Sequence, residues 1–134
     1  MKYIITLLTL HFIACNSTKI GNNNYSPKFD VYKIDSINSY YLIYAKKGDS
    51  LYKIVSKKES VKDCEIIQNN RSYVFTINSI LSSVKIENKP LLRSNTLLVN
   101  CFAFDDSTRI CLERDSINDL YNASNIKGRC YIRR

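Results

Sequence analysis

FDVYKIDSINSYYLIYAKKGDSLYKIVSKK, residues 29–58, is the stretch that decides the fold. Near its end Leu51, Lys53, Val55 and Lys57 alternate with Tyr52, Ile54 and Ser56. A period of two in β-branched and aromatic residues is the signature of a strand, not a helix. Residues 31–35 and 40–46 read the same way, the second rich in Tyr, Leu and Ile. Residues 36–39 carry turn chemistry between them. Gly48-Asp49 reads as a hairpin turn, because glycine takes backbone angles that other residues resist. The stretch therefore predicts a three-strand meander.

Working outward, residues 57–63 form a charged loop and residues 64–68 a short strand. After a turn at Asn69-Asn70, residues 71–78 read as a strand with Tyr73, Phe75 and Ile77 on one face. Residues 80–86 fit no single period, and Asn88-Lys89-Pro90 breaks whatever precedes it. Residues 97–104 are apolar on both faces, the pattern of a central strand, and residues 108–114 pair back on it. Asp115-Ser116 has the chemistry of a helix N-cap, so residues 117–124 are expected to form a short helix. Residues 130–132 give a final strand. The expected class is mainly β: a small antiparallel sandwich or a partly open barrel, with at most one short helix. A barrel of the oligonucleotide/oligosaccharide-binding kind fits the strand count.

The start of the chain has a different character. Lys2 precedes a mostly apolar run, residues 3–14, that ends in Ala14-Cys15. A membrane-spanning helix needs about 20 apolar residues, so the run is too short to span and matches the core of a signal peptide. Phe12-Ile13-Ala14-Cys15 resembles the lipobox of bacterial lipoproteins, with Phe12 where that family usually has Leu. The resemblance implies cleavage before Cys15, a diacylglyceryl group on its thiol, and acylation of the new amine by a chain such as palmitate. Two or more acyl chains, at about 0.8 kcal/mol per buried CH₂, hold a domain firmly on a bilayer. The competing readings are a plain secretory peptide and an uncleaved anchor. Asn16, rather than Asp, follows the cysteine, which by the same resemblance favours an outer membrane. The expected division is a signal peptide over 1–14, a lipidated cysteine and flexible tether over 15–29, and one β domain over 30–134.

The paired segments Tyr32-Lys33-Ile34 and Tyr52-Lys53-Ile54, the strand from Cys64, and the segments around Cys101 and Cys130 are similar to those of small lipoproteins of the flavobacterial kind. No activity comes with that resemblance.

Composition bounds the function. The 134 residues carry a net charge of +8. A basic surface can meet nucleic acid, anionic lipid or acidic glycan. Export argues against nucleic acid, leaving the bilayer and an envelope protein or glycan as expected partners. Past the signal, Cys64, Cys101, Cys111 and Cys130 remain, and an even count in an exported domain reads as two disulfides. Four cysteines allow three pairings. A hairpin turning at Asp105-Asp106-Ser107 would set Cys101 opposite Cys111, which leaves Cys64 for Cys130. Zinc is the rival reading, without CxxC spacing to support it.

The one histidine, His11, lies in the expected signal peptide, which removes Ser-His-Asp and Cys-His catalysis from the mature domain. Glycines are isolated, so no phosphate-cradling loop is expected, and neither is a cofactor or metal. The acidic residues Asp105, Asp106, Glu113, Asp115 and Asp119 could serve acid–base chemistry or bind calcium, or simply form turns and caps. Tyr40, Tyr41, Tyr44 and Tyr52, with Lys46 and Lys53, could present a sheet face for sugar or peptide stacking, or could pack within the strands. Asp35-Ser36-Ile37, Asp49-Ser50-Leu51 and Asp115-Ser116-Ile117 resemble a bacterial O-glycosylation motif, making Ser36, Ser50 and Ser116 the candidate sites. The reading that follows is a membrane-anchored, non-enzymatic envelope module. A hydrolase or metal enzyme built on residues 105–119, and an inhibitor or immunity-type lipoprotein, are its alternatives.

Overall fold

The computed structural model describes residues 27–83, 85–86, 89–90 and 100–133. The expected signal peptide, Cys15 and most of the tether lie outside the described residues. The meander forms as expected from β1 (Phe29–Ile37), β2 (Tyr40–Lys47) and β3 (Ser50–Lys57), all antiparallel. Its two hairpins turn at Asn38-Ser39 and Gly48-Asp49. Asn38 and Gly48 take φ values of 47° and 58°, the left-handed backbone that tight hairpins require. The first strand runs two residues further than expected, because Asn38 alone supplies the turn conformation.

β4 (Glu65–Ile66) and β5 (Arg71–Tyr73) follow, and β5 pairs with β1 at one edge of the main sheet. β6 (Ile77–Ser79) lies at the opposite edge, on β11 (Leu120–Ala123), which itself runs parallel to β3, while β7 (Lys85–Ile86) and β8 (Lys89–Pro90) pair with each other. The order is β5-β1-β2-β3-β11-β6. The residues from Tyr73 to Ile77 reach at most roughly 14 Å, whereas a flat sheet would hold its two edges about 24 Å apart. The sheet must therefore curl until its edges approach. The expected single strand over 71–78 is thus broken at its middle. Its predicted face survives: Tyr73 and Phe75 are buried in the core inside the curl, and Ile77 packs against it.

Two cores result, one on each face. Inside the curl Phe29, Val31, Ile43, Ala45, Ile54 and Ile67 join Tyr73 and Phe75. On the outer face lie Tyr40, Leu42, Tyr44, Val55 and Leu120. This explains why YYLIYA in β2 is apolar in both phases: neighbouring residues serve opposite cores. The outer face is covered by a hairpin of β9 (Cys101–Ala103) and β10 (Arg109–Cys111), through Ile110, Leu112 and Ile117. No ladder joins β5 to β6 among the described residues, so the structure is mainly β with an open barrel-like sheet. The hairpin lies over it as the second layer of a small sandwich does.

Two expectations are corrected. Residues 117–124 are not helical. Ser116 N–H donates to Glu113 O, closing a turn, and Leu120 then enters the sheet beside Lys53, fully buried. Burial between two strands outweighs local capping chemistry. Residues 101–104 are not a central strand either. Among the described residues β9 pairs with β10 alone in a two-stranded sheet, and Cys101 and Ala103 are exposed. Residues 97–99 of that expected strand lie outside the described residues.

Both disulfides are present: Cys101–Cys111 across the hairpin register and Cys64–Cys130 between sequence-distant strands. The second anchors a small sheet of β12 (Ile126–Lys127), β13 (Cys130–Tyr131) and β4. Gly128 turns β12 into β13 at φ 58°, and a Cβ there would stand 2.7 Å from Glu59 O. Gly48 shares the φ value but has open space around it. Alanine at Gly48 should cost only the left-handed penalty, about 1 kcal/mol. Alanine at Gly128 should cost distinctly more, because the backbone at Glu59 must also move. Urea midpoints of the two variants check this, and equal losses would show that the contact at Glu59 yields freely.

Candidate functional site

The strand register decides where the expected Tyr/Lys face goes. Tyr44 and Lys53 are paired across β2 and β3 on the outer face, beneath the covering hairpin. Tyr41 pairs with Ser56 and Tyr52 with Ala45, and both point to the opposite face. Lys46 is exposed near the second turn. Tyr40 lies on the outer face with Tyr44, so the six candidates are split between two faces and do not form one contact surface.

Tyr44 and Lys53 instead meet Glu113. Lys53 is only 5% exposed, and its Nζ donates to Cys111 O and Glu113 Oε1, both at 3.0 Å. Tyr44 OH donates to the same Oε1 at 2.8 Å. The ammonium groups of Lys33 and Lys53 lie 4.8 and 5.3 Å from the Tyr44 ring centroid. Desolvation pushes the Glu113 carboxyl up, but the hydrogen bonds from Lys53 and Tyr44 and the lysine charges outweigh it, leaving it below the usual range. Burial, then the bond to Glu113, drives the Tyr44 phenol well above its ordinary value. A satisfied ion pair beside a protonated phenol fastens the hairpin to the sheet.

The other acidic candidates are dispersed. Asp105 accepts from the backbone and hydroxyl of Ser107 in the hairpin turn, and Asp106 sits beside it. Asp115 is exposed in the following turn. Among the described residues no group of three or more His, Cys, Asp or Glu is placed to hold a metal.

What the fold does assemble is a groove of about 710 Å³ between the Gly48-Asp49 turn, residues 79–82 and residues 116–121. Drug-sized sites span a few hundred to about 1,000 Å³. Leu51, Leu81, Tyr52 and Tyr121 are among its lining residues; the two tyrosines have ring centroids 5.1 Å apart and pack partly against the core inside the curl. Around them stand Asp49, Asn118, Asp119 and four serines. One Asp119 oxygen already accepts from Leu81 N–H at 3.3 Å, which fixes that carboxylate at the rim. Two of the candidate O-glycosylation serines, Ser50 and Ser116, line this groove, while Ser36 lies exposed on β1. Tyr121 was hidden from sequence reading by the expected helix. The visible signal was the recurrence of Asp-Ser pairs at both turns that flank the groove.

Compared with protein-family models, curated proteins and solved structures, the chain matches none of them.

Proposed function

We propose that this chain is an exported lipoprotein, anchored through Cys15, whose β domain holds a glycan of the cell envelope without chemically changing it. The observation that carries the binding role is the groove. It offers two tyrosine rings and a ring of hydroxyl, carboxamide and carboxylate groups, the combination that sugar hydroxyls and ring faces need. Two disulfides support an oxidising compartment, since such bridges persist outside the cytosol. The short apolar leader ending at Ala14-Cys15 supports the anchor.

The binding role is tested by titrating the protein with neutral oligosaccharides and following tyrosine fluorescence, which no tryptophan obscures. Saturable binding lost in Tyr52→Ala and Tyr121→Ala is expected. Turnover of the sugar by the native protein, or no saturable signal at all, would refute the reading. The anchor is tested separately by labelled palmitate in producing cells. The native protein should take the label and Cys15→Ser should take none; equal labelling would remove Cys15 from the account.

A further inference from the structure

A second recess, of about 580 Å³, lies at the other end of the meander, where β3 leaves the sheet. It is lined by Tyr41, Lys58, Glu59, Ile66, Lys127 and Arg129, with the Cys64–Cys130 bridge in its wall. Three cations thus face one carboxylate, and among the described residues none of the three has an ion-pair partner. Lys58 Nζ and the Arg129 guanidinium lie 5.4 and 5.9 Å from the same Tyr41 ring centroid, so two like charges converge on one ring. Each ring contact is attractive in itself, but one ring and one carboxylate leave the recess with a net positive charge that a small anion would complete.

Arg129 is held firmly for this task. Its carbonyl accepts from Ile67 N–H at 2.8 Å, and its Nη2 donates to Ile67 O at 3.1 Å. Its Nε is buried and finds no acceptor. A buried charged donor left unpaired is costly and calls for a specific explanation. The surroundings are rigid as well. Gly128 lets Glu59 pack directly on the β12–β13 turn, the bridge fixes Cys130, and Lys58 N–H donates to Ser39 O at 2.7 Å. Ile66, 48% exposed, adds an apolar lip.

We propose that this recess is a binding site for a single anionic group, a carboxylate or a phosphate, held between Arg129, Lys58 and Lys127. Arginine supplies the planar, multi-donor contact such groups favour, and the lysines supply point charge. The site stands apart from the tyrosine groove and does not depend on it.

The test titrates the protein with inorganic phosphate, with glucuronate and with neutral glucose, following backbone amide shifts. Saturable binding of phosphate, glucuronate or both, weakened at about 0.15 M salt, is expected, and which of the two binds identifies the source of the charge. Shifts should centre on residues 58–66 and 127–130. Lys58→Gln with Lys127→Gln, both at exposed positions, should weaken binding about tenfold, and Arg129→Gln should abolish it, whereas Tyr121→Ala in the groove should leave it unchanged. No saturable binding of either anion, binding unaffected by the double lysine variant, or equal binding of glucose would overturn the proposal.

Discussion

Serine at both Cys64 and Cys130 should be the most damaging pair of substitutions in the domain, costing about 4 kcal/mol of stability by the chain-entropy model. The bridge spans 66 residues of sequence. Opening it frees the unfolded chain to explore far more conformations, while the native contacts gain nothing. The Cys101–Cys111 bridge spans only 10 residues, so the same model gives about 3 kcal/mol for its loss. Position widens the gap. Cys130 is buried and sits between Ile66 and Lys127 in the small sheet, so serine there also leaves a buried hydroxyl in place of the bridge. Cys101 and Cys111 are exposed at the rim of a hairpin that Ile110 and Leu112 already hold down. Urea unfolding of the two double variants under oxidising conditions checks the order. A larger loss from the short bridge would mean that the covering hairpin, not the bridge between distant strands, limits stability. The long-bridge variant should also loosen the recess around Arg129, because Cys64 and Cys130 form part of its wall.

The sequence made the meander and the hairpin bridge legible because both are local. Their turns, alternation and cysteine spacing lie within a few residues of one another. It could not show that β11 runs parallel to β3, since Leu120 and Lys53 meet only after the intervening chain has folded. That one pairing accounts for most of the differences. It draws residues 120–123 out of the expected helix, places Tyr121 beside Tyr52, and shapes the groove between them. Lys53 shows the same limit from the other side. In LYKIVSK it alternates like a solvated lysine, yet it is buried, because its partner Glu113 lies sixty residues further on. One warning was visible: a run apolar in both phases, YYLIYA, implies a sheet covered on both faces, and a covered face cannot also be an open binding surface.

Glu113→Gln should destabilise the domain by about 2 kcal/mol, below the 3–5 kcal/mol typical of fully buried pairs, because the Glu113 side chain is 47% exposed and partly solvated. Lys53 is not so placed. With Gln at 113, its ammonium stays under the hairpin with only neutral acceptors, Cys111 O and the amide oxygen, and no counter-charge. Lys53→Met should cost less than Glu113→Gln: methionine keeps the apolar stem, and the carboxylate left behind can turn to water. This asymmetry distinguishes a buried charge that needs its partner from a generic loss of contact. The pH dependence follows with a definite sign. The Glu113 carboxyl titrates below its unfolded value of 4.5, so the unfolded state binds more protons in that window. Its contribution is therefore complete above about pH 4.5 and fades as pH falls further. Tyr44 behaves oppositely. Its phenol is raised from 10.0, so the folded state keeps a proton that the unfolded chain releases, and stability falls as pH climbs past that value. Stability should form a plateau between these limits, as read from urea midpoints across pH. Glu113→Gln should make the acid limb shallower, leaving the part due to Asp35 and Asp105, and Tyr44→Phe the alkaline one, leaving the part due to Tyr32 and Tyr40. If Lys53→Met proved costlier than Glu113→Gln, the ammonium would be contributing net stability through Cys111 and the Tyr44 ring rather than through its carboxylate.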